Sequence, residues 1–153
     1  MNTHQQLEGR IAIVTGSTQG LGEATARLFA ERGAAGIVVT GRDAGRGETV
    51  ARSLDNDSCR AVFVRADMAD VDDCRALVAA ADEAFGAVHV LVNSAGATTR
   101  GSILNTTTDV YASVMAVSVR APLFLMLETA KIMIRDGVAG SIINIGSVSA
   151  YGG

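Results

Sequence analysis

Three glycines stand close together in "VTGSTQGLG", Val14 to Gly22: Gly16, Gly20 and Gly22, spaced G-x-x-x-G-x-G. Glycine lets a backbone turn sharply and come close to a bulky anion. The residues that follow have helical spacing, and a helix start aims free N–H groups and the positive end of its dipole at whatever lies before it. Turn and helix start together describe a cradle for a phosphate or pyrophosphate. The spacing is not the G-x-G-x-x-G fingerprint, and a glycine-rich turn without a ligand is the plain alternative. Other reactive side chains form no such pattern. Cys59 and Cys74 have no ligand-like spacing to each other or to His4 and His89, so no metal site is expected and both read as ordinary thiols of a reducing compartment.

The cradle needs a strand before it and a helix after it, and the pattern supplies both. "IAIV", Ile11 to Val14, is a short apolar run that reads as a buried strand. Leu21, Ala24, Thr25, Leu28 and Phe29 then fall on one face of a helix that Gly33 ends. Further strands are expected at Gly36 to Thr40, Ala61 to Val64, Val88 to Val92 and Ser141 to Ile145. Asp43 can cap a helix running to about Leu54. Asp70 and Asp73 resemble a capping box opening a helix that runs to Phe85 and stops at Gly86. A long helix is expected from Thr108 to Arg135, broken or kinked near Arg120 by Pro122. Strands that are apolar throughout and alternate with helices indicate an α/β fold, a Rossmann-type doubly wound parallel sheet with helices on both faces. No repeat or linker interrupts it, so residues 1–153 read as one domain.

Composition narrows the partners. Of the 153 residues 48% are hydrophobic and 19% charged, which fits a globular chain with a sizeable core. A net charge of −3 with no basic stripe argues against nucleic acid or an anionic membrane surface. "MNTHQQLEGR" has no signal-peptide core, and no uninterrupted apolar run nears the roughly 18 residues of a membrane span. A cytoplasmic protein is expected.

The motifs "TGSTQGLG", "RADM" around Asp67, "NSAG" from Asn93 to Gly96 and "INIGSVS" near the end occur in one order, on the expected strand ends. Together they resemble the classical short-chain dehydrogenase/reductase family. The resemblance implies a nicotinamide cofactor. The glycine loop, with Ser17 and Leu21, would wrap its phosphates. Asp67 would meet the adenine amino group, with a turn carboxylate as its plainer role. Asn93, Ala95 and Gly96 would line the adenine ribose and support the central strands. A carboxylate at the end of the second strand bonds the ribose hydroxyls of NAD. By the family's pattern Gly41 holds that place in "VVTGRD" and Arg42 follows it. A guanidinium matches phosphate geometry, and hydrogen bonds to charged groups contribute about 1.5–3 kcal/mol each. NADP(H) is therefore favoured, with NAD(H) as the alternative should Asp43 take the carboxylate's role rather than cap its helix.

The same resemblance implies hydride transfer between the nicotinamide and an alcohol or ketone, helped by Ser, Tyr, Lys and Asn. Ser147 matches the Ser, with Ser149 as the alternative. Ser118 stands where the Asn would be. No Tyr-x-x-x-Lys occurs: Tyr111 is followed at the fourth place by Met115, Tyr151 reads as a loop residue, and Lys131 is the only lysine. The expectation is an incomplete domain, cut after the fifth strand and inactive alone, whose complete form is a homo-oligomer. A fifth strand left at the sheet edge would be exposed and prone to association. The alternative is a non-catalytic nucleotide-binding or dimerisation module.

Overall fold

The apolar runs become strands because each has neighbours to pair with, and the three central ones are buried on both faces. A computed structural model describes residues 6–99 and 101–147. In it β1 (Ile11–Val14), β2 (Gly36–Gly41), β3 (Arg60–Arg65), β4 (Val90–Asn93) and β5 (Ser141–Asn144) form one sheet in the order β3-β2-β1-β4-β5. Every pairing is parallel. Alternate residues serve opposite layers. Ile13, Val38 and Leu91 lie in register and pack with Leu77, Val78 and Leu125. Val14, Val39 and Val92 lie in register and pack with Ala26, Val50 and Leu54. The helices of the second layer are α1 (Gly20–Glu31) and α2 (Ala44–Leu54); those of the first are α3 (Val71–Phe85) and α5 (Ala121–Arg135), with α4 (Thr108–Met115), which buries no residue, leading toward α5. This is the doubly wound α/β architecture the strand pattern implied, and its strand order reverses between β1 and β4.

Helix ends follow their chemistry. Asp43 caps α2, its carboxylate accepting from the Arg46 N–H at 3.0 Å. Gly33 and Gly86 follow α1 and α3 with φ of +89° and +73°, the left-handed region that glycine occupies without strain. The Asp70–Asp73 box does not form. Asp70 accepts from the Asp72 N–H, while the Asp73 carboxylate instead accepts from the Asp67 N–H at 2.8 Å. Asp73 thus fastens the turn after β3 to α3.

The buried face of α1 differs from the expected one. Leu21 and Leu28 are 61% and 45% exposed, whereas Gly22 and Ala26 are buried. Size outranks hydrophobicity here, because α1 starts so close to the preceding turn that a Cβ on Gly22 would lie 2.4 Å from the Gly16 carbonyl oxygen. Phe29, at the far end of the expected face, does pack against the core.

The irregularity expected near Arg120 is a π-helical turn, Ala116–Arg120, joining α4 to α5. Pro122 lacks the N–H that would bond the Ser118 carbonyl, so the ladder is rebuilt around it, with the Ala121 N–H reaching the Ala116 carbonyl. The helical stretch Thr108–Arg135 runs 28 residues and contains an 18-residue window with a mean hydropathy of 1.7, long and apolar enough to cross a membrane, of which 17% is buried. The expectation of no such run counted unbroken apolar residues, and a helix tolerates isolated Ser, Arg and Pro among them. Its buried residues Ala121, Leu125, Thr129 and Ile132 form one stripe, a core-helix pattern; Val119, Leu123 and Leu127 on the outside are exposed. At the sheet edge β5 is exposed along its length, with Ile142 and Ile143 about 40% open (37% and 41%). Both cysteines are buried free thiols. Burial, then the nearby Asp73 charge, pushes the Cys74 thiol up to about 11, so it stays protonated.

Candidate functional site

Where the strand order reverses, the loops after β1 and β4 part, and a cleft opens at the carboxyl ends of the strands. The cleft holds about 770 Å³, within the range of small-molecule sites. Gly16, Gly20, Leu21 and Gly22 line one side, Arg42 another, and Asp67, Ala95 and Gly96 also line it. Eight of the twelve expected site residues therefore meet in one cavity.

The glycine loop is shaped by close approach. Gly16 has φ +66°, and a Cβ there would sit 3.0 Å from the Ala95 Cα. Gly20 has φ +60°, and a Cβ there would meet nothing within 4 Å; that open space is the cleft. The start of α1 also differs from the starts of α2, α3 and α4. Side chains cap α2, α3 and α4, from Asp43, Asp70 and Thr107. No side chain caps α1. Gly20, Leu21 and Gly22 of its first turn line the cleft, where an uncapped helix start is suited to an anion. Leu21, exposed because α1 turns Gly22 inward, lines the same wall.

Ser17 does not face the cleft. It is fully buried, and its hydroxyl donates to the Val14 carbonyl at 2.6 Å and accepts from the Thr40 N–H at 3.0 Å. It holds the turn against β2, a bracing role beneath the loop. Asn93 is likewise inside the sheet, 4% exposed, its Nδ2 donating to Asn144 Oδ1 across β4 and β5 at 2.8 Å. That is the supporting part of its expected role. Asp67 keeps both its expected roles in view: it lines the cleft while Oδ1 accepts from the Ala69 N–H at 2.9 Å to close a turn. Its Oδ2 makes no hydrogen bond among the described residues.

Ser118 lies exposed in the π-turn, and its neighbour Val117 lines the cleft in its place. Ser147 follows β5 at the same end of the sheet but is not a cleft wall. Ser149 and Tyr151 lie outside the described residues. Asp43, whose role was open between cap and ribose acceptor, is the cap: both its carboxylate oxygens are engaged by Arg46, and these bonds hold its carboxyl below the usual range.

Two residues that shape the site escaped the sequence reading. Thr15 is 1% exposed, and its Oγ1 accepts from the Ser94 and Ala95 N–H groups at 3.0 and 2.9 Å. It ties the glycine loop to the loop after β4. Arg46 lines the cleft from the first turn of α2 and hydrogen-bonds Gln19 of the glycine loop. A polar Thr directly after an apolar strand was the available signal for the first; the second had none, because a basic residue on a surface helix is unremarkable.

A family model described as short chain dehydrogenase matches residues 10–153. The chain is 37% identical to the NADP-dependent (R)-specific alcohol dehydrogenase of Lentilactobacillus kefiri, over 97% of this chain and 58% of that protein. It is 34% identical to (+)-cis,cis-nepetalactol synthase of Nepeta racemosa, over 97% of this chain and 55% of that one. A solved short chain dehydrogenase from Burkholderia cenocepacia, in complex with NADP, matches with a TM-score of 0.89 at 32% identity, over 97% of this chain and 59% of that one. The chain thus spans a little over half the length of these relatives. With the cleft, the strand order and the motif positions in agreement, the chain belongs to the short-chain dehydrogenase family.

Proposed function

We propose that this chain is the nucleotide-binding part of an NADP(H)-dependent oxidoreductase that moves hydride between the nicotinamide and an alcohol or ketone. The observation that carries the reading is the uncapped start of α1 behind Gly20, aimed into a cleft whose β2 wall is Arg42. The glycine loop and α1 would hold the pyrophosphate, Arg42 the 2′-phosphate, Asp67 the adenine, and Ala95 and Gly96 the ribose. Gly41 supports the phosphorylated form, since a side chain there would press on Thr18, its Cβ 2.7 Å from that methyl. NADP in the Burkholderia relative and in the name of the Lentilactobacillus enzyme agrees with this choice. When bound, the cofactor supplies the hydride chemistry.

Ser147 would hold the substrate oxygen at the end of β5, and Ser118 would replace the family's Asn in the proton relay with a shorter hydroxyl. With no Tyr-x-x-x-Lys in these 153 residues, the chain is expected to bind nucleotide without turnover; loss of a general acid alone costs about 10²- to 10⁴-fold. The exposed β5 and the open outer face of α4 and α5 favour pairing with a second copy.

Titration of NADPH and NADH, followed by cofactor fluorescence, tests the reading. Tight binding of NADPH and its loss in Gly20→Val are expected, because the valine fills the space beside Gly20. Unchanged affinity in Gly20→Val would remove the phosphate-loop assignment.

A further inference from the structure

We propose that Arg46 is a second guanidinium reading the 2′-phosphate, and that Asp43 and Gln19 hold it over the cleft for that purpose. This rests on the NADP(H) reading. Arg46 donates through Nε to Asp43 Oδ2 at 2.8 Å and through one terminal nitrogen to the Gln19 side chain. A guanidinium has five N–H donors. These two bonds fix its plane and leave three donors uncommitted among the described residues, on a side chain that lines the cleft.

The arrangement also removes the competing chemistry. The one carboxylate near the end of β2 is Asp43, and it would favour free ribose hydroxyls. Its Oδ1 accepts from the Arg46 N–H and its Oδ2 from the Arg46 guanidinium. The residue that would select the unphosphorylated cofactor is thus spent on positioning the residue that selects the phosphorylated one.

Cations gather at this corner. Arg42 lines the same cleft, and its guanidinium makes no hydrogen bond among the described residues. Arg65, at the end of β3, donates from Nε to the Arg42 carbonyl at 3.2 Å and steadies the backbone that carries it. At the β2–α2 wall of the cleft Arg42 and Arg46 stand with the single carboxylate of Asp43, while Asp67 lines the cleft from beyond β3, in a chain whose net charge is −3. An acidic protein that concentrates positive charge at one cleft wall presents an anion site there. Gln19 adds reach, because it belongs to the glycine loop and carries the link from the pyrophosphate side of the cleft to α2.

The test uses adenosine 2′,5′-bisphosphate and AMP, which differ only in the 2′-phosphate, titrated calorimetrically into the 153-residue chain and its variants. The wild-type chain binds the bisphosphate more tightly. Arg46→Ala loses about tenfold or more for the bisphosphate, as expected for one charged hydrogen bond. Its AMP affinity is kept or rises, because Asp43 is released to meet the 2′-hydroxyl. Arg46→Lys recovers part of the loss, since it keeps the charge without the fork. Equal loss for both ligands would overturn the proposal and leave Arg46 a helix-cap partner; no change for either would overturn it as well. If only Arg42→Ala erases the preference, this proposal falls and the NADP(H) reading stands. A wild-type chain that binds the two ligands equally overturns both.

Discussion

Replacing Gly22 by alanine tests whether closeness, rather than flexibility, is what this site requires of its glycines. The Cβ would lie 2.4 Å from the Gly16 oxygen, 2.8 Å from the Gly16 carbonyl carbon and 3.1 Å from the Ser17 Cα. All three are backbone atoms, so no rotamer change relieves the overlap. Ordinary contact begins near 3.4 Å, so α1 must withdraw by about 1 Å. Overpacking of this kind costs about 1–3 kcal/mol, and the rigid neighbours point to the upper half. Helix propensity works the other way, since alanine gains up to about 1 kcal/mol over glycine. A net loss of about 1–2 kcal/mol remains. For a chain of this size that lowers the melting temperature by roughly 2–8 °C. Thermal unfolding followed by circular dichroism reads the effect, with Gly45→Ala as the control. There the Cβ would sit 3.6 Å from Asp43 Oδ1, an ordinary contact, so the same substitution in α2 leaves stability unchanged or raised. A Gly22→Ala protein melting at or above the wild type would refute the account of α1 as a helix held close by its small residues.

Thr15→Val removes the oxygen that accepts from Ser94 and Ala95. Each N–H left without a partner costs about 1–3 kcal/mol. Denaturant midpoints should fall clearly for valine and little for Thr15→Ser; equal midpoints for all three would show that the two loops do not depend on this hydroxyl. His89 makes stability depend on pH. Its Nδ1 accepts from the Ile11 N–H at 3.1 Å, and burial, then the Arg10 charge, holds the imidazole below its ordinary value. The folded chain then binds fewer protons here than the unfolded one, so this contribution is full above about pH 6.5 and is lost as pH falls through the lowered folded value. Urea midpoints at pH 7.5 and 5.5 should separate more in the wild type than in His89→Gln, and identical separations would place the pH dependence elsewhere.

The fold was legible because the strands report their own burial. Ile11–Val14 and Val90–Val92 are apolar at every position, which only a sheet covered on both faces explains. The glycine loop was legible because Gly16 and Gly20 sit where φ is positive, a demand few residues meet. The face of α1 was not legible, since hydrophobic spacing cannot see that the helix lies against backbone. Ser17 was assigned to the cleft on its place in the motif, whereas its hydroxyl is consumed by Val14 and Thr40. Arg46 and Thr15 were missed for a related reason: their partners stand 27 and about 80 residues away (79 and 80 for Thr15). Chemistry between such distant residues exists only once the topology has brought them together.

That separation bears on how the protein acquires its site. The hydroxyl of Thr15 reaches amides 79 and 80 residues along the chain, across the β1–β4 junction where the cleft opens. Closing so long a loop costs entropy before any contact repays it, so β1–β4 pairing belongs to the late, slow part of folding. The phosphate cradle then has no stable geometry in early folding species, whatever the local preferences of its glycines. Nucleotide present during refolding should leave the rate of folding unchanged and slow unfolding instead, in proportion to its occupancy of the finished cleft.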